Sequence, residues 1–248
     1  MTLPFDLGPG GAAYLAVAVL VAAFVRGYSG FGFSALLISA AALVTNPLYI
    51  VPVTLFCEFL MTFQQWRAVR HGVDWWRVWA LMAGAVVGMP LGLWGITGVG
   101  VDAGRAIISA YVLCMCGVLM LGWRIARPQG AVAHFGVGVF AGGANAVGMA
   151  GLPVATYFTA QGVSAAVFRG TLIAYFCILD VFAAPLMWWH GLVTWDTVRA
   201  VVLALPIMAF GIWLGGRHFL ATDPQDFRRF AIVLLAVLAV LGLAKSVL

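Results

Sequence analysis

Long apolar stretches that carry almost no charge constrain this chain more than any other feature of its sequence. Leu48 to Trp66, Trp75 to Trp94, Ala106 to Trp123, Phe168 to Trp189, Val198 to Leu214 and Phe230 to Leu243 are such stretches. About 20 apolar residues suffice for a helix to cross the hydrocarbon of a bilayer. Charged residues are 8% of the chain, where a soluble domain carries about a quarter. The reading is therefore an all-α polytopic membrane protein with the lipid bilayer as its surroundings. A β-barrel would show short alternating segments instead. The net charge of +5 comes from arginines placed between apolar runs, so no nucleic-acid partner is expected. The opening "MTLPFDLGPGG" lacks a basic leader region, and no cleavable signal peptide is expected. Cys57, Cys114, Cys116 and Cys177 lie inside apolar runs with no CxxC spacing, so free thiols are expected, with no disulfide and no metal site. No cofactor box is present.

The chain repeats itself. At an offset of 119, His71 to Trp94 falls on His190 to Trp213 with 7 of 24 positions identical, among them Trp76/Trp195 and Trp94/Trp213. At an offset of 118, "GFGFSA" (Gly30 to Ala35) falls on "GMAGLP" (Gly148 to Pro153). Residues 1–127 read as the first repeat and 128–248 as the second, within one transmembrane domain. Each repeat opens with two short apolar pieces around a glycine-rich break: Ala12 to Val25 and Phe33 to Val44, then Ala131 to Ala141 and Leu152 to Ala160. Three longer segments follow in each. If the Arg67/Arg70/Arg77 loop is cytoplasmic, Arg124, Arg127, Arg169, Arg217, Arg228 and Arg229 also fall inside. Arg105, Arg199 and Lys245 fall outside, and Arg26 is unassigned. Both termini are then outside. The two repeats have inverted topology, each a broken helical hairpin plus three transmembrane helices.

Ala12 to Val25 has 14 residues, about 21 Å of helix, too short to span alone. Each opening pair is therefore expected to turn within the membrane. Irregular backbone is tolerated at that depth only where it is buried in protein or lines a cavity. Half-helix N-termini and freed N–H groups favour anions. "RGYSGFGF" and "GGANAVGMAGLP" then form two halves of a midplane anion site, with Arg26, Tyr28, Ser29, Gly30, Gly32, Asn145, Gly148, Gly151 and Pro153 as candidate substrate-binding residues. Arg26 would supply the positive charge, with Asn145 opposite and Arg169 as a weaker candidate. The competing reading is that these glycines only let helices pack closely, and that Arg26 merely snorkels to an interface.

The paired motifs "GYSGFGFSALL" and "GANAVGMAGLPV" resemble those of the TauE/SafE (TSUP) family of sulfite and organosulfonate exporters, over nearly the whole chain. The second-half "GxGGxP" of that family is here "GMAGLP". The resemblance implies transport of a small sulfur-containing anion across the bacterial inner membrane, without enzymatic activity.

Other chemistry is open to the same residues. "GYSG" (Gly27 to Gly30) matches the GxSG of rhomboid intramembrane proteases, with His134 as the candidate base for Ser29; that pairing needs hydrogen-bond reach. A small organic anion without sulfur would also suit a site of this kind. His71 and His190 occupy matching loops and read as interfacial residues. The tryptophans cluster at segment ends, as in an interface belt. Two acids, Glu58 and Asp180, lie midway along apolar segments. Glu58 aligns with Phe176 and Asp180 with Thr62, positions four residues apart, so both acids sit on one helix face and should point into the bundle. Either could carry a proton during transport, Asp180 foremost; a purely structural hydrogen bond is the alternative.

Overall fold

The computed structural model describes residues 4–96, 99–122, 124–125, 129–219, 236 and 240. The final expected segment, Phe230 to Leu243, lies almost wholly outside the described residues, as do Trp123, Arg127, Arg228, Arg229 and Lys245.

Every regular element described is helical. The long helices are α1 (Pro9–Ser29), α3 (Pro47–Val69), α4 (Trp75–Ile96), α5 (Val101–Leu121), α8 (Ala165–Trp189) and α9 (Trp195–Phe219); between them run the short helices α2 (Phe33–Ala41), α6 (Ala131–Asn145) and α7 (Gly151–Ala160). Among the described residues six helices are long and apolar enough to cross a membrane, and the chain is a multi-pass membrane protein. Local chemistry sets several ends. Pro9 and Pro47 occupy first-turn positions, where the missing N–H costs nothing. The Asn46 side chain accepts from Leu48 N at 3.1 Å, and Ser164 Oγ accepts from Val167 N at 3.4 Å; both are N-caps.

One expectation fails here. The first piece was expected to stop at Val25, as a half-helix. Instead α1 has 21 residues and is itself a candidate span. Nothing from Arg26 to Ser29 breaks a helix: Gly27 alone costs about 1 kcal/mol relative to alanine, and burial of Ala22, Ala23, Val25 and Tyr28 outweighs it. The chain turns only at Gly30.

Packing links the opening helices to distant ones. α1 lies along α9, α6 along α4, and α3 against α8. The first two pairs run parallel: Gly211 meets Leu20 and Gly215 meets Phe24, while Gly138 meets Leu81 and Gly142 meets Ala85. A Cβ on Gly84, Gly88 or Gly92 would collide with the backbone of Phe135, Val139 or Gly143, so these glycines allow α4 and α6 to touch main chain to main chain. Gly27 does the same against Ile212. The close-packing reading thus holds for this set, Gly27 and Gly142 of the break motifs included. Trp75, Trp76, Trp94, Trp188, Trp189 and Trp195 stand exposed at helix ends, and the four cysteines are free.

Candidate functional site

The two breaks share one backbone solution. Gly30 ends α1 in the left-handed region (φ 83°), its N–H bonded to Arg26 O, and Gly148 has φ 71°. A Cβ is disfavoured there. The space is also filled: a Cβ on Gly30 would stand 2.7 Å from Arg169 Cγ, and one on Gly148 3.3 Å from Val51 Cγ1 and Thr54 Oγ1. Arg169 Nη2 donates to Gly27 O at 2.8 Å, binding the start of α8 to the end of α1.

Arg26, in the last turn of α1, is 0% exposed. Its Nη1 donates to Glu58 Oε1 at 3.1 Å. Its guanidinium carbon stands 5.4 Å from the centre of the Phe176 ring, close enough for a cation–π contact. Nε and Nη2 are buried without a hydrogen-bond partner. Ser34 N, in the first turn of α2, donates to the same Glu58 Oε1 at 3.4 Å. The carboxylate expected only as an inward-facing acid therefore caps the half-helix that was expected to receive an anion from outside the chain. At the other break, Gly151 opens α7, and a Cβ there would stand 3.2 Å from Phe176 Cζ. Phe176 is the repeat counterpart of Glu58. One break thus carries its own carboxylate, while the other faces an aromatic ring that Arg26 also packs against.

A narrow cleft of about 10 Å³, no more than about one water's space, lies between α2, α3, α8 and the end of α6, lined by Ser34, Thr54, Glu58, Asn145, Gly148 and Asp180 together with apolar side chains. The structure thus gathers Glu58, Asp180, Asn145 and Gly148 from the sequence prediction. Arg26 does not line the cleft and reaches it through Glu58. Asn145 Nδ2 donates one of its two protons to Met89 Sδ at 3.3 Å. Asp180 is 4% exposed, with Oδ2 lacking a partner. Tyr28, Gly30, Gly32, Gly151 and Pro153 lie outside the lining; Tyr28 is buried against α9, and Pro153 sits in the first turn of α7. Ser34, Thr54 and Phe176 were missed. Phe176 could have been found as the aligned partner of Glu58; a lone serine or threonine in an apolar run gives no such signal.

Ser29 and His134 are not joined. Ser29 Oγ lies 2.8 Å from Val25 O and 2.9 Å from Phe31 O, its one proton shared between the two carbonyls. His134 Nδ1 faces Gly130 O and Tyr157 OH, and its ring packs on Trp76 and Tyr157. Among the described residues no hydrogen bond links the pair, and no three His, Cys, Asp or Glu side chains group as metal ligands would.

Comparison with curated proteins gives no match. Comparison with solved structures gives none either. A family model described as "Sulfite exporter TauE/SafE" matches residues 15–241, spanning both breaks, the Arg26–Glu58 pair and Asp180. The chain belongs to the sulfite exporter TauE/SafE family of membrane transporters.

Proposed function

We propose that the protein is a secondary carrier that exports a small sulfur-containing anion, sulfite or an organosulfonate, across the bacterial inner membrane. Both termini face outside, the two repeats are inverted, and the anion passes near the midplane between the breaks. The observation that carries this reading is Arg26: fully buried, with two donors unpaired, and packed on the Phe176 ring whose edge meets Gly151 at the start of α7. A cation forced into hydrocarbon is costly and usually marks function. An oxyanion is the natural partner for two adjacent guanidinium donors and a helix N-terminus. The enclosed fold around Arg26 is then one state of an alternating cycle, which must loosen to admit substrate.

The topology is supported by two contacts. Phe5 N donates to Asp196 Oδ2 at 3.0 Å, holding the chain start beside the start of α9. Gly72 packs against Ala166, setting the arginine-rich loop beside the start of α8. Single cysteines at residues 2 and 74, probed with an impermeant thiol reagent on intact cells in a cysteine-free background, test it; labelling at residue 2 alone is expected.

Glu58 and Asp180 place negative charge beside the proposed anion path, so a cation is expected to enter with the anion. Counterflow in proteoliposomes with sulfite, thiosulfate and small organosulfonates tests the substrate class. Sulfite exchange that disappears in Arg26→Gln/Glu58→Gln is expected, and undiminished exchange in that variant would remove Arg26 from the site.

A further inference from the structure

The cleft under Gly148 has a chemistry of its own, distinct from the anion-facing edge of Arg26. Its polar groups present lone pairs. Thr54 Oγ1 spends its proton on Val51 O at 2.7 Å, which leaves its oxygen free to accept. Asn145 spends an amide proton on Met89 Sδ, and its carbonyl oxygen remains. Asp180 Oδ2 is buried without a partner. Glu58 keeps oxygen lone pairs after receiving Arg26 and Ser34 N. The nearby backbone donors are already used: Ser34 N on Glu58, and Gly148 N on Asn145 O. The cleft also lies at the C-terminal end of α6, the negative pole of that helix. Asp180 and Glu58 oppose an anion here.

We propose that this cleft is a binding site for a sodium ion, held by Asp180 and Glu58 with the oxygens of Thr54 and Asn145. The donor set is all oxygen, as hard cations require. With both carboxylates ionised, two against one Arg26 guanidinium leave one negative charge over, which suits a monovalent ion. No third carboxylate, histidine or cysteine joins them among the described residues, which disfavours a divalent or transition metal. In transporters with broken helices, half-helix C-terminal ends face coupling ions, as the end of α6 faces this cleft. The four ligands come from both repeats: α3 supplies Thr54 and Glu58, α6 Asn145 and α8 Asp180. A bound ion would therefore tie α3 to α8 across the bundle. The site itself stands on the cleft; its use as a coupling site rests on the transport reading above.

The test is equilibrium binding of radiolabelled sodium to the purified full chain in potassium-based buffer, with no sulfur anion present. Expected is saturable binding that unlabelled sodium displaces and potassium does not. Asp180→Asn should abolish it. Thr54→Val should weaken it by about tenfold or more, while Thr54→Ser should retain it; this pair decides the matter if Asp180→Asn fails to fold. Absence of saturable sodium binding overturns the proposal, as does binding unchanged in Thr54→Val. Proton release that depends on Asp180, read with an indicator dye and without bound sodium, also overturns it and assigns the carboxylate to a proton. Since no anion is present, failure of sulfite exchange leaves the sodium result standing. Sodium binding without acceleration of sulfite efflux by a sodium gradient would separate the site from coupling.

Discussion

Val51 and Arg169 stand 118 residues apart in the sequence, and each lies over the break glycine of the opposite repeat: Val51 over Gly148, Arg169 over Gly30. The aligned positions have different chemistry. One break is closed by an apolar side chain, the other by a guanidinium that also holds the end of α1 through Gly27 O.

Alanine at either glycine should be costly. The left-handed conformation alone costs a Cβ about 1–2 kcal/mol. At Gly30 the new methyl also meets Arg169 Cγ at 2.7 Å. Gly30→Ala should therefore lower the melting temperature more than Gly148→Ala if Ile38, whose flexible Cδ1 crowds Gly148, can turn aside. Thermal unfolding of the detergent-solubilised protein measures both.

The Arg26–Glu58 pair should behave as a buried couple. Removing one partner strands a charge and costs about 3–5 kcal/mol, whereas removing both can be nearly neutral. Arg26→Gln should thus be markedly destabilised and Arg26→Gln/Glu58→Gln substantially restored. A thermal-stability cycle over the four proteins gives the coupling directly, and additive losses would contradict it.

Leucine at Gly88 should force α4 and α6 apart, because even a Cβ there overlaps Val139 O. Overpacking typically costs about 1–3 kcal/mol and occasionally more. Gly117→Leu, on the open face of α5 with nothing within 4 Å of its Cβ position, should leave stability unchanged. Yield of monodisperse protein and melting temperature distinguish them.

Ser29→Ala should lose only a hydroxyl that bridges two carbonyls at the end of α1. The expected loss is about 0.5–1.5 kcal/mol, with sulfite exchange retained. An intramembrane cleavage assay that fell to background in this variant, after activity in the parent, would return the protease reading to consideration.

The helical membrane class, the short second helices and the turn glycines were legible because burial in lipid leaves a chain few choices and because repetition made Gly30 and Gly148 annotate each other. The inward acids were legible for the same reason: a carboxylate midway along an apolar run has nowhere else to go. The length of α1 was not. Its boundary is set by the packing of Tyr28 and Gly27 on α9, nearly 200 residues on, and local spacing carries no trace of that. The capping of α2 by Glu58 was likewise hidden, since it depends on how α3 lies beside the break. Arg26 was recognised as unusual, but its partner could not be chosen from sequence with two acids available.

The exchange of helices between the repeats makes each half depend on the other. The opening helix of each half lies along the second of the three long segments of the other, α1 on α9 and α6 on α4. At the aligned positions under this exchange the two halves differ, a carboxylate at 58 and a phenyl ring at 176. Neither opening helix therefore finds its long packing partner within its own half of the chain, so neither half can be removed without uncovering the other's hairpin.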